Sequence, residues 1–261
     1  MRKLKHIMKM IGKGILILLG ILFLILIGMT IYNTILTVND NKLLADVGQN
    51  VTVEGKNMRI DIQGAGEHTI VLLPGLGTYS PIEDFKPLAS RLAESNQVVT
   101  VEYFGYGLSD DTQEARTNET IVSEIREALS QAGIKPPYVL AAHSISGIYA
   151  LDYIKDYPDE VEAFIGIDPS VPNQVDYESG MQVAEWLYYP SRALDITGLT
   201  RMQLKDDGML KAMTDSGYSA EELKIIKAVK ARRAASRALI HENNSIPENL
   251  GSLKDMKYPE N

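Results

Sequence analysis

"VLAAHSISGIYAL", residues 139 to 151, is the stretch on which the fold turns. An apolar run enters a short polar cluster, and an apolar pattern at helical spacing resumes beyond it. Ser144 sits where strand gives way to helix. A serine at such a junction is either a nucleophile presented on a tight turn or an ordinary helix N-cap.

The surrounding sequence repeats the same alternation. "VTVEG" and "MRIDIQG" read as two short strands around a turn. "HTIVLLPG" is a continuous apolar run closed by Pro-Gly, as a buried central strand is. "IEDFKPLASRLAES" reads as a helix, "QVVTVEYFG" as a strand, and "NETIVSEIREALSQAG" as a helix ending at Gly133. "PYVLAAHS", "ISGIYALDYIKDYP" and "VEAFIGIDPS" then give strand, helix and strand. This order predicts a mostly parallel sheet with helices on both faces, and a site at the carboxyl ends of its strands. Four loops fall there: "PGLGT", "GYGLSD", "HSISG" and "DPSVP".

Those loops resemble the α/β-hydrolase superfamily over roughly residues 51 to 172. Ala142-His143-Ser144-Ile145-Ser146, followed by Gly147, is similar to the nucleophile elbow G-x-S-x-G, with small residues in place of both glycines. "VEYFGYGLSD" resembles the D-x-R-G-x-G-x-S loop, with Glu102 for Asp. "LLPGLGT" resembles the H-G-x loop, with Pro74 for His. The resemblance implies an α/β-hydrolase fold with a helical cap and a serine hydrolase acting on carboxylic esters or related acyl bonds. Ser144 is then the nucleophile, and the backbone N–H groups of Leu76 and Ile145 form the oxyanion hole. It also implies no cofactor. Serine at the elbow argues against relatives that use a carboxylate nucleophile.

The family order of Ser, acid and His is not completed. The chain has four histidines. His6 precedes the apolar N-terminal segment, His68 opens a strand at the far end of the sheet, and His143 adjoins Ser144 on the strand and should point elsewhere. His241 alone follows at a distance, within "SAEELKIIKAVKARRAASRALIHENN", which reads as one long helix. Asp168 stands at a strand's carboxyl end, as a triad acid or as the Asx cap of the "DPS" turn. No run of strand length follows His241, so the expectation is that the last core strands, with the base, are absent from the chain. His241 as the base, and a non-catalytic binding or scaffold protein, remain the alternatives.

The N-terminus reads separately. "GILILLGILFLILIGMTI", residues 14 to 31, carries no charge, and with Ile35 and Leu36 it can span roughly 30 Å of hydrocarbon. Five basic residues precede it, which places the N-terminus in the cytoplasm and the body outside. A cleaved signal peptide is the rival reading. The first 42 residues hold six Lys/Arg and one acid, leaving twenty basic against 33 acidic residues, a net −13, in the body. Such a body repels phosphate backbones, which argues against nucleic acid as a partner. The absence of cysteine excludes thiolate metal sites and a thiol nucleophile, and no metal-ligand spacing occurs. The expected organisation is a basic flank at 1–13, a transmembrane helix at 14–36, a linker at 37–50, the core at 51–172, a helical cap at 173–245 and a return segment at 246–261.

Overall fold

The computed structural model describes residues 2–176, 182–204, 207–233 and 235–256. Met181, which opens the expected cap stretch "MQVAEWLYYP", and residues 257–261 of the expected return segment lie outside them.

Six strands form one sheet in the order β1-β2-β4-β3-β5-β6. They are β1 (Gln49–Val53), β2 (Lys56–Gln63), β3 (Thr69–Leu73), β4 (Gln97–Glu102), β5 (Tyr138–His143) and β6 (Val161–Ile167). The β1–β2 hairpin is antiparallel, with Val51 opposite Met58, and β2 runs antiparallel to β4. The other pairings are parallel. Every residue of β3 is buried, as a central strand covered on both faces requires.

The pleat divides β3 between two cores. Val71 and Leu73 join the larger cluster with Ile121, Leu129 and Ile148 from α3 (Asn118–Gln131) and α4 (Ser146–Asp156). Ile70 and Leu72 point the other way, onto Phe85 and Ala89 of α2 (Pro81–Leu92). The period of two thus places helices on both faces. β6 forms one border of the sheet, and Phe164 and Ile165, on opposite faces of it, are 38% and 48% exposed.

Beyond β6 come α5 (Tyr188–Thr197), α6 (Leu199–Gln203), α7 (Gly208–Asp215), α8 (Ala220–Lys230) and α9 (Arg237–Ser252). The expected single helix through His241 is therefore two. Ser219 and Glu222 form a reciprocal capping box that starts α8. Ser236 caps α9 by accepting from the Leu239 N–H, and the Asp111 carboxylate accepts from the N–H groups of Arg237 and Ala238. A carboxylate at that position favours a fresh helix start. α9 also crosses the expected cap boundary at residue 245, and its Leu250, with Leu253 just beyond its end, is buried in the larger core.

The N-terminal helix α1 runs unbroken over Arg2–Leu43, taking in the first half of the expected linker. Its Lys3–Leu43 portion, with a mean hydropathy of 2.9 in its most apolar window, is long and apolar enough to cross a membrane.

Candidate active site

Ser144 occupies the turn between β5 and α4 with a φ of +53°. A β-carbon makes that conformation costly, so the surroundings must hold it. The Ser144 carbonyl accepts from the N–H of Gly147 at 2.9 Å and of Ser170 at 2.8 Å, and its own N–H donates to the Ile167 carbonyl at 3.3 Å. The loop after β6 thereby buttresses the turn. Gly147 is closely packed: a Cβ there would lie 2.7 Å from both the Pro169 Cβ and the Ser170 oxygen. The requirement for a missing side chain has moved one residue past the usual motif position.

Ser146, in that motif position, is fully buried. Its hydroxyl donates to the Pro74 carbonyl and accepts from Tyr103 Oη at 2.7 Å. The first bond fastens the "PGLGT" loop to the elbow and the second ties in Tyr103 after β4, and with both committed the hydroxyl is not free to act as a nucleophile. Ser144, partly exposed, has no hydrogen-bond partner for its hydroxyl among the described residues. It does not cap α4 either: the capping position is Ile145, with no side-chain bond to the helix. The helix-cap reading is thereby corrected.

Of the two expected oxyanion donors, Ile145 follows this serine directly and Leu76 belongs to a loop that packs against the elbow. Gly75 brings the loop against the elbow, where an added Cβ would sit 3.1 Å from Ser144 Cβ and 2.7 Å from His143 Nδ1. Among the described residues, neither the Leu76 nor the Ile145 N–H donates to another group. Ile145 also stands at the start of α4, whose terminal amides favour an anion. The next amide, Gly77 N–H, donates to Tyr106 Oη at 3.2 Å, and Tyr106 Oη donates to Glu242 Oε2 at 2.9 Å.

No imidazole meets the Ser144 hydroxyl. His68 bonds Glu162 at 2.7 Å at the opposite end of the sheet, as expected. His143 packs its ring against Gly75. His241 contacts the Glu114 carbonyl at 3.4 Å and lies 3.8 Å from Glu185, and it makes no hydrogen bond to Ser144. Asp168 stands at the carboxyl end of β6 as expected, exposed and with φ +48°. Its carboxylate has neither a histidine nor an Asx-type bond among the described residues.

Three buried carboxyls carry no role in the sequence reading. Glu102 is fully buried, accepts from the Leu108 N–H at 2.6 Å and the Ile82 N–H at 3.4 Å, and is pushed up by burial to about 7. It pins the loop after β4 from beneath. Glu242, also raised by burial, accepts from Tyr106 and from Tyr149 at 2.8 Å. Glu124 holds buried Arg116 at 2.6 Å. Nothing in the helical spacing of α9 separates Glu242 from its solvated neighbours; only the contact with tyrosines some 93 and 136 positions away does so.

Two cavities flank the loop after β3, and both are lined by Leu76 and Gly77. One, of about 380 Å³, runs between α5 and α9 along Leu187, Tyr188, Leu239 and Ile240. The other, of about 210 Å³, is closed by Met209, Met213 and Ile226, with Asp84 at its wall. Ser144 lines neither. Burial raises the Asp84 carboxyl, and His143 opposes that rise. Among the described residues no cluster of His, Cys, Asp and Glu could hold a metal ion.

Comparison with known proteins agrees with the fold. Over 157 residues the chain is 34% identical to the uncharacterized protein YbdG of Bacillus subtilis, covering 60% of this chain and 48% of that one. It is also 34% identical over 92 residues to the uncharacterized protein YqjL of the same organism, covering 34% of this chain and 36% of the relative. The chain thus spans half or less of these relatives. Among solved structures it is similar to an esterase from Exiguobacterium antarcticum, at 21% identity and a TM-score of 0.52, covering 77% of this chain and 73% of that one. An epoxide hydrolase from Bacillus megaterium matches at 16% identity and a TM-score of 0.54, covering 75% and 71%. At these identities the structures establish the fold alone. The model of the "Alpha/beta hydrolase family" matches residues 70–248, most of the chain, and the chain belongs to that family.

Proposed function

We propose that the protein is a membrane-anchored serine hydrolase that cleaves carboxylic esters or related acyl bonds through an acyl-enzyme at Ser144. The observation that carries this reading is the pairing of a strained, partly exposed serine with two undonated backbone N–H groups at Leu76 and Ile145. Ser144 Oγ attacks the acyl carbonyl, the alcohol leaves, and the two amides receive the oxyanion. Water then releases the acid. The apolar cavity beside Leu76 suits an acyl chain or another lipid-like group. The basic N-terminal flank supports an orientation with that end in the cytoplasm and the body outside.

Hydrolysis of a short p-nitrophenyl ester by membranes carrying the protein tests this reading. Ser144→Ala should lower turnover by roughly 10³-fold or more. Undiminished turnover in Ser144→Ala would contradict it. A second reading, a binding protein without turnover, is favoured by one observation: no described histidine reaches Ser144. It predicts specific retention of an acyl ligand with no hydrolysis in the unaltered protein.

A further inference from the structure

The cap meets α1 at the depth where an apolar span would leave a bilayer. About 20 residues of helix cross a hydrocarbon core of roughly 30 Å. A span that begins at Gly14, after the basic flank, therefore ends near Asn33. Asn33 is buried against the cap. Its Nδ2 donates to the carbonyls of Asp195 at 2.8 Å and Ile196 at 3.3 Å, and its Oδ1 accepts from Arg201 Nε at 3.1 Å. Arg201 also reaches Asp40 at 2.7 Å. Gly198 presses so close that a Cβ there would sit 2.9 Å from Asn33. The shielded face of α1 continues past this point into the apolar run, through Thr30, Met29 and Leu26. Those positions fall at helical spacing from Asn33, on one stripe.

Helix α5 and the short 3-10 turn that leads into it (Glu185–Leu187) carry apolar side chains on two opposite faces. Leu187, Tyr188 and Ser191 line the 380 Å³ cavity beside the loop after β3. Trp186, Tyr189, Ala193 and Ile196 recur at spacings of three and four on the other face, where Trp186 is 64%, Tyr189 66% and Ile196 47% exposed. Met202 on α6, next to Arg201, is 58% exposed. Arg192 lies exposed along the edge of the same face. Trp and Tyr are the side chains that settle where hydrocarbon meets headgroups, and Arg can extend its charge from that depth to lipid phosphates.

We propose that the outer face of α5, with Met202 of α6, docks into the outer boundary of the bilayer that α1 spans, so that Trp186, Tyr189 and Ile196 contact lipid. The inference rests on the anchored reading of α1 given above. Its occupant is the lipid surface, because the face is continuous with the point where the apolar helix emerges. A water-soluble protein partner would need the same face free of lipid.

Trp186 is the single tryptophan of the chain, so its fluorescence reports this face alone. The full chain is reconstituted into phosphatidylcholine vesicles, with and without lipid brominated near the headgroup end of its acyl chains, and iodide is admitted to both sides. The expected result is co-flotation with the vesicles, loss of most Trp186 emission in brominated lipid, and little loss to iodide. Substituting Ile196→Asp together with Met202→Asp should restore emission in brominated lipid while flotation is retained. A chain that co-floats but keeps its emission in brominated lipid and loses it to iodide would overturn the docking and leave the anchor standing. A chain that fails to co-float would overturn the anchor itself and the docking with it.

Discussion

Ser144 keeps a left-handed backbone conformation that costs a serine on the order of 1–3 kcal/mol. The neighbours that hold it are specific, and they explain what the sequence disclosed. Three loops in order were enough to single out Ser144, Leu76 and Ile145. The motif's second glycine could not be judged that way, because the Ser146 hydroxyl finds its partner on Pro74, 72 positions upstream. Gly147→Ala should therefore disturb the elbow more than Ser146→Ala. Its Cβ would collide with Pro169 and the Ser170 carbonyl, and overpacking of this kind costs about 1–3 kcal/mol, readable in a denaturant midpoint. An unchanged midpoint would show that the elbow relaxes freely. Glu102 gives a second test at this scale. Its folded pKa is raised from 4.5 to about 7, so between those values the folded state holds a proton that the unfolded chain has lost. Stability contributed by this group must then fall as pH rises through that window. Glu102→Gln should remove the fall, so that the native chain loses up to about 3 kcal/mol relative to the variant over the interval. Parallel stability curves would contradict the assignment.

At the scale of elements, the strands and core helices were legible because their periods are clean. The apolar run Ile70–Leu73 of β3 and the alternating β2 leave few alternatives. The region after β6 was less legible, because the caps that divide it act across the fold. Asp111, far upstream of α9, supplies the carboxylate that restarts the helix. The same distance hid the role of α9, which belongs to the core as much as to the cap. Leu250→Ala should cost about 2–5 kcal/mol, as for any buried leucine, and urea unfolding measures it. A loss below about 0.5 kcal/mol would place α9 outside the cooperative unit. β6 poses the opposite problem. It borders the sheet with Phe164 and Ile165 exposed on its two faces, and such an edge invites pairing with other chains. Ile165→Lys should lower the self-association of the detergent-solubilised chain in sedimentation velocity. Unchanged association would show that the edge is not the contact.

For the whole molecule, charge and hydropathy divide the chain before any fold is considered. A basic flank, an apolar helix and an acidic body follow one another. Protease added to intact cells should digest the body and spare the flank, and a body protected until lysis would reverse the topology. The catalytic claim was legible only in part. The proposed nucleophile and oxyanion donors come from two neighbouring loops, whereas the base is a relation in space that none of the four histidines supplies to Ser144 among the described residues. The claim that this serine is the nucleophile is therefore tested most directly by covalent chemistry rather than by rate. After exposure to a fluorophosphonate, peptide mass spectrometry should find the phosphonyl group on Ser144 and on no other serine, and a Ser144→Ala chain should carry none. An adduct on Ser146, or an unmodified Ser144 in a correctly folded chain, would contradict it.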